Sequence, residues 1–223
     1  MKTFHELQEG VYDPNILKAF FLAGGPGSGK SYVVKRTTGG LGMKVINSDI
    51  AFEKKLKDAG LSLDIRELDP EVRDEIRGQA KRITAKQKAN YLNGRLGLII
   101  DGTGKDYDKI ARQATKLKQL GYDTHMIFVN TSLDVALERN QKRDRTVPES
   151  VAIKSWNNVQ RNIGKFSQYF RQNFVVVDNN DPLENDGMIF NSVFKQIKYL
   201  ANKKVANPIA KMWIKSEMDK KRR

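Results

Sequence analysis

Short runs of consecutive apolar residues alternate along the chain with longer stretches whose apolar positions recur every three or four residues. Ala19-Phe-Phe-Leu-Ala23 stops abruptly at Gly24-Gly-Pro-Gly-Ser-Gly29, the pattern of a buried parallel strand entering a tight loop, and Lys30 to about Thr38 then reads as a helix. Val45-Ile-Asn47 predicts a second strand, followed by a helical stretch around Phe52 to Ala59. Asp69-Pro70 supplies a cap and a favoured first-turn proline, and beyond it Val72, Ile76, Ile83 and Leu92 keep helical spacing in a long charged helix. Leu96 to Asp101 predicts the third strand, and Asp106 to Leu120 a helix stopped by Gly121. Thr124 to Val129 predicts the fourth strand, after which Ser132 caps a helix through Leu133, Val135, Ala136 and Leu137. Arg139 to Thr146 is crowded with cations and breaks at Pro148, so a mobile loop is expected there rather than a continued helix. A helix from Glu149 to Phe170, a strand from Phe174 to Val177 and a last helix over 183–201 complete the pattern.

Strands alternating with helices predict an α/β fold: a mostly parallel sheet covered on both faces, with its ligand crevice at the carboxyl ends of the strands. The expected divisions are an N-terminal extension over 1–18, a main domain over 19–201 and a basic C-terminal tail or helix over 202–223. With 223 residues the chain has material for one substantial core.

Composition narrows the chemistry. The chain has no cysteine, which excludes a disulfide framework, a thiolate metal site and a cysteine nucleophile. His5 and His125 are its only histidines, too few for a histidine-rich metal centre. No apolar stretch approaches the roughly 20 residues that span a bilayer, and the start has no signal-peptide core, so no membrane partner and a cytoplasmic location are expected. The formal net charge of +14 favours polyanionic partners such as phosphates, nucleotides or nucleic acid. Residues 203–223 hold eight Lys or Arg against two acids, a large share of that excess.

Gly24-Gly25-Pro26-Gly27-Ser28-Gly29-Lys30-Ser31 matches G-x-x-x-x-G-K-[ST] at every fixed position, between a predicted strand and a predicted helix. The glycines let the backbone curl so that successive N–H groups point inward at an anion. Lys30 then reaches the β- and γ-phosphates of ATP, the Ser31 hydroxyl holds Mg2+, and the next helix presents its positive end. A glycine-rich turn that merely joins strand to helix would not need this four-part pattern.

Three further groups carry candidate chemistry. Asp49 follows the second strand and can orient an acceptor hydroxyl and take its proton, or it can cap the helix that begins near Ile50. Asp101-Gly102-Thr103-Gly104 ends the third strand; Asp101 can bind magnesium through water or hydrogen-bond an acceptor, while Asp and Gly also serve an ordinary strand-to-helix turn. Glu138-Arg139 through Lys142-Arg143-Asp144-Arg145 forms a cationic segment, 139–148, that can close as a lid. In that reading Arg139 and Arg145 clamp the transferring phosphoryl group and Arg143 faces the nucleotide. A solvated charged surface is the plain alternative. Trp213 with Ile209 and Met212 reads as a packing stripe rather than a base-stacking platform.

The glycine loop, Asp49 with Phe52 beyond it, Leu98-Ile-Ile-Asp-Gly-Thr-Gly104, Leu120-Gly-Tyr-Asp-Thr-His-Met126, and Glu138-Arg139 with Arg145-Thr-Val-Pro148 resemble the zeta-toxin family of P-loop kinases in order and approximate spacing, over about residues 19–178. The resemblance implies a P-loop NTPase-type three-layer sandwich with a five-stranded, mainly parallel sheet of order 2-3-1-4-5. It also implies ATP-dependent transfer of the γ-phosphoryl group to a hydroxyl acceptor, a sugar nucleotide in the best-known members. Lys30, Asp49 as general base, and lid residues Arg139 and Arg145 are then catalytic, with Phe52, Asp101 and Thr103 at the acceptor and an antitoxin-type protein as a partner. The spacing Asp49-Ile-Ala-Phe52 is one residue longer than the family's, Asp101 stands where the family commonly has Glu, and the basic tail is additional. A polynucleotide 5′-hydroxyl kinase shares the layout, and the basic tail suits a nucleic-acid backbone. The alternative of another class is a nucleotide-switched, nucleic-acid-binding ATPase; Gly102 after Asp101 leaves out the second acid that such ATPases use on water.

Overall fold

The computed structural model describes residues 11–12, 15–38, 41–64, 67–142, 147–180 and 187–221. Five parallel strands, β1 (Lys18–Ala23), β2 (Lys44–Ile46), β3 (Leu98–Asp101), β4 (Asp123–Asn130) and β5 (Phe174–Asp178), form one sheet in the order β2-β3-β1-β4-β5. Helices α1 (Lys30–Thr38), α2 (Ser48–Asp58), α3 (Pro70–Asn93), α4 (Tyr107–Gln119), α5 (Leu133–Gln141), α6 (Glu149–Phe170), α7 (Gly187–Asn202) and α8 (Pro208–Lys221) connect and cover it. This is the P-loop NTPase-type sandwich with the expected strand order.

Strand side chains alternate between two cores, as a period of two requires. Phe21, Leu98, Ile100, Met126 and Phe128 pack with α4, α6 and α8. Phe20, Leu22, Ile99, Ile127 and Val177 face the opposite way, against Val33 of α1 and Ile197 of α7. All six residues of β1 are buried because both faces of this central strand are covered, which is why Ala19–Ala23 read as an unbroken apolar run. A third, small core of Phe52, Leu56, Leu68 and Ala80 joins α2 to α3 beside the sheet.

The predicted elements stand with small shifts at their ends, and one expectation is corrected. Arg139 lies inside α5, which continues to Gln141 before Lys142 caps it, so the cationic segment begins helical. Buried Asn140 is the reason. Its amide donates to the Val147 carbonyl at 2.7 Å and its Oδ1 accepts from the Val147 N–H at 3.2 Å, tying the end of α5 to the start of α6. Arg143 and Arg145 lie outside the described residues.

Within the basic stretch after 203, Pro208–Lys221 form α8. Asp123, at the amino end of β4, accepts from the Ala206 and Asn207 N–H groups at 2.8 and 3.1 Å and pairs with buried Lys18 at 2.8 Å. Burial pushes the Asp123 carboxyl up, but these donors hold it below the usual carboxylate range. Ala210 is fully buried against Gly121, where an added Cβ would lie 3.2 Å from the Ala210 nitrogen. Of the expected packing stripe only Trp213 packs on the core, together with its neighbour Ile214; Ile209 and Met212 are 49% and 74% exposed. Among the described residues no helix is long and apolar enough to cross a membrane.

His125 on β4 stacks on Phe20 at 4.7 Å, and neither ring nitrogen has a hydrogen-bond partner. Burial lowers its pKa from 6.5 to about 4; the Lys18 and Lys203 charges act in the same direction and Asp123 opposes them. Between those values the unfolded chain takes up a proton that the folded chain refuses, so stability falls as pH drops from about 6.5 to about 4. The full effect is about 3 kcal/mol. Urea denaturation at pH 7 and pH 4.5 is expected to show this loss in the wild type and a clearly smaller loss in His125→Leu.

Candidate active site

The site is assembled from strand ends held level by the sheet register. Leu22 pairs with Asp101, and Ile46 with Ile100, so the chain leaves β1 into the glycine loop beside the last residue of β3 and the first residue after β2. The loop runs from Gly24 to Ser31, with Gly27 and Gly29 at φ of +77° and +79°. Both are also sterically closed: a Cβ at Gly27 would stand 1.9 Å from the Ala136 carbonyl oxygen, and one at Gly29 would stand 2.3 Å from Nδ2 of Asn179.

Neighbouring elements brace the loop. The Ser28 carbonyl accepts from Asn179 Nδ2 at 2.8 Å and from the Thr131 hydroxyl at 3.3 Å, and the Gly24 N–H donates to the Thr103 carbonyl at 2.9 Å. Trp156 of α6 donates its indole N–H to the Thr131 carbonyl at 2.8 Å, while its Cα would stand 3.5 Å from a Cβ built on Gly25. Lys30 directs its ammonium to the Gly24 and Gly25 carbonyls at 2.6 and 3.4 Å, so the cation sits over the loop. Gly25, Gly27 and Ser28 are buried, Pro26, Gly29 and Lys30 half-buried, and Ser31 exposed at the head of α1.

Asn47 joins the acidic side. Its Oδ1 accepts from the Asp49 N–H at 2.7 Å, capping α2, and its Nδ2 donates to Asp101 Oδ2 at 2.6 Å. The cap of α2 is therefore Asn47. Asp49 lies in the first turn of the helix, where the exposed N–H groups favour a carboxylate. Burial raises the Asp101 pKa, and the nearby charge of Asp49 adds to it; Lys30 and the Asn47 hydrogen bond act against the rise. Asp101 thus feels both the cradle's cation and the second carboxylate, which brings all three charges into one site.

Other candidates are placed as follows. Arg139 donates to the Asn179 carbonyl at 2.6 Å, and its NH1 would lie 3.9 Å from a Cβ on Gly29, so it stands beside the phosphate loop. Thr103 contributes its backbone carbonyl to that loop and is half-buried. Phe52 is corrected. Its ring is 1% exposed in the α2–α3 core, with the Arg77 guanidinium 4.7 Å above it, which leaves no ring surface for a substrate. Leu56 one turn on and small Ala80 on α3 complete the contact that draws this face of α2 inward.

Asn47, Thr131, Trp156 and Asn179 were missed in the sequence because each works through a partner distant along the chain: the Asp101 carboxylate for Asn47, and backbone carbonyls for the other three. For Asn179 the available signal was the Asn-Asn pair one residue beyond the fifth apolar run. For magnesium, the Ser31 hydroxyl and the Asp101 carboxylate are hard oxygen donors, and phosphate-bound magnesium takes one or two such protein ligands. Among the described residues no three His, Asp or Glu side chains gather as a metal cage. The donor set therefore fits a cation shared with a nucleotide.

The sequence profile of the AAA domain family matches residues 20–165, from β1 through the phosphate loop, Asp49, Asp101 and Arg139 into α6. The chain belongs to the AAA domain family. No curated protein matches this AAA-domain chain by sequence. Among solved structures it is similar to a candidate kinase from Chloroflexus aurantiacus, with 16% identity and a TM-score of 0.54, covering 86% of this chain and 96% of that one. The AvrRxo1-ORF1:-ORF2 complex with ATP gives 13% identity and a TM-score of 0.60, covering 78% of this chain and 58% of that one. The Pnkp1/Rnl/Hen1 RNA repair complex gives 19% and 0.53, covering 68% and 47%. At these identities the likeness is one of fold.

Gly27→Ala is expected to abolish binding of ATP analogues and to lower the melting temperature more than Gly60→Ala. Gly60 also has positive φ, +66°, but meets nothing within 4 Å, so its substitution carries only the left-handed penalty of about 1–2 kcal/mol. Calorimetry with both variants separates closure of the cradle from simple strain.

Proposed function

We propose that this AAA-domain protein is an ATP-dependent phosphotransferase that moves the γ-phosphoryl group onto a hydroxyl of a small acceptor, with a zeta-toxin-like sugar nucleotide as the preferred class. The observation that carries this reading is the placing of Lys30, Asp49 and Asp101 at three adjacent strand ends, with Asn47 bonded to both the Asp49 N–H and the Asp101 carboxylate. A cradle alone binds nucleotide; a carboxylate pair facing it supplies what an acceptor hydroxyl needs.

In this mechanism the loop amides and Lys30 hold the β- and γ-phosphates, and Lys30 exchanges its carbonyl partners for phosphate oxygens. Asp49 orients the acceptor hydroxyl and takes its proton as the oxygen bonds to the γ-phosphorus. The bond from that phosphorus to the bridging oxygen breaks, and ADP leaves with the electron pair. Asp101 fixes the acceptor, and Asn47 holds both acids in register. Arg139, with Arg143 and Arg145 of the cationic segment, neutralises charge on the transferring group. Ser31 and Asp101 would hold magnesium, which when bound would supply positive charge against the phosphates.

A polynucleotide 5′-hydroxyl acceptor is a second reading, favoured by the net charge of +14 and the fold likeness to a chain of an RNA repair complex. The position of α8 counts against routing nucleic acid along it to the cradle: α8 is fastened through Asp123 at the amino ends of the strands, whereas the cradle is at their carboxyl ends.

Labelled ATP incubated with sugar nucleotides, nucleosides and 5′-hydroxyl oligonucleotides tests the proposal. Transfer to a sugar nucleotide is expected. Lys30→Ala is expected to abolish it, and Asp49→Asn to reduce it by about 10²–10⁴ while ATP binding persists. Release of free phosphate with no labelled acceptor would instead mark a nucleotide-switched ATPase.

A further inference from the structure

At the amino ends of the strands, opposite the cradle, a groove of about 740 Å³ opens between α8 and the α7–α8 connection. Ile16, Val205, Ile214 and Met218 give it an aliphatic lining. Lys203, Lys204, Lys211 and Lys215 stand around that lining, with Asp219 as the acid among the lining residues. Among the described residues Lys204, Lys211 and Lys215 make no ion pair.

Contacts within the chain fix the walls of the groove. Asp123 fixes the connection through two backbone N–H groups, and Asn207 donates to the Lys118 carbonyl at 2.7 Å while its Oδ1 accepts from the Ile209 N–H at 3.0 Å at the start of α8. Apolar surface continues past the rim on Met212 and on Tyr199, which are 74% and 61% exposed, the latter with Lys203 5.8 Å from its ring centre.

We infer that this groove docks an acidic amphipathic peptide segment of a partner protein, an interaction separate from phosphoryl transfer. Unpaired lysines around an aliphatic lining attract carboxylates that flank apolar anchors, and a flexible Met accommodates varied anchors. A nucleic acid strand is disfavoured because its bases need aromatic faces to stack on and the lining has none: Tyr199 stands outside it, and Trp213, the aromatic of α8, is packed against the core with Arg95 5.9 Å from its ring. A second copy of the chain is disfavoured by mutual repulsion at +14. A simple anion would leave the aliphatic lining and the exposed rim uncovered.

The test is a selection of random displayed peptides of about 12 residues against the full-length protein, followed by fluorescence anisotropy on the enriched sequences. Enrichment of peptides combining Asp or Glu with Leu, Ile or Phe at helical spacing is expected. Their affinity should fall at least about tenfold for the Lys211→Glu, Lys215→Glu double variant. Both side chains are exposed, so the double variant should keep its melting temperature and its binding of an ATP analogue. Failure to enrich acidic ligands, or enrichment indifferent to the double variant, would overturn the inference. So would tighter binding of an oligothymidylate that the double variant abolishes, which would assign the groove to nucleic acid. A gain of about tenfold in peptide affinity on deleting residues 1–10 would assign it to the chain's own N-terminal segment.

Discussion

A loop that turns its amide N–H groups toward one point concentrates positive charge and leaves those groups without internal partners, so it keeps that shape only where the surrounding fold prevents its relaxation. Here the restraint is steric and polar together. The Ala136 carbonyl and the Asn179 side chain occupy the space that any Cβ on Gly27 or Gly29 would need. Asn179 and Thr131 take up the Ser28 carbonyl from the far side, and Thr103 takes the Gly24 amide. Four of the five strands meet here through the segments that follow them: the loop after β1 is held by the three after β3, β4 and β5.

The remaining strand, β2, supplies the acidic side. Because β2 pairs with β3 in register, Asn47 reaches Asp101 across the strand ends and caps α2 with the same amide group, setting Asp49 one residue into the helix. One neutral side chain thus links the Asp49 backbone to the Asp101 carboxylate. At the opposite end of the sheet, Asp123 uses the equivalent device, a carboxylate collecting backbone N–H groups, to hold the basic helix away from the cradle. Phosphate chemistry and the largest lysine cluster of α8 are thereby kept on opposite ends of one sheet.

Much of the fold was legible because its strands are short apolar runs with sharp ends and its helices carry caps and punctuating glycines. Lys30–Thr38 and Glu149–Phe170 begin and end where the pattern places them. The cradle was equally readable, since its glycines must be local in sequence to bend one loop. What escaped depends on contacts between residues far apart: Asn140 extending α5 through Val147, Asn179 reaching Ser28, and Phe52 turned into a core that only α3 completes. The choice between two roles for Asp49 was also nonlocal in part, because the competing cap, Asn47, is fixed by a carboxylate 54 residues away.

The proposed phosphoryl transfer depends on a preformed anion cradle whose shape, rather than Lys30 alone, would hold triphosphate. Titrating adenylyl imidodiphosphate with magnesium into the wild type and into Asn179→Ala by calorimetry tests this most directly. Saturable binding to the wild type is expected, with affinity weakened about tenfold when the Ser28 carbonyl loses its Asn179 donor. No heat of binding to the wild type, or equal affinity in the two proteins, would contradict it.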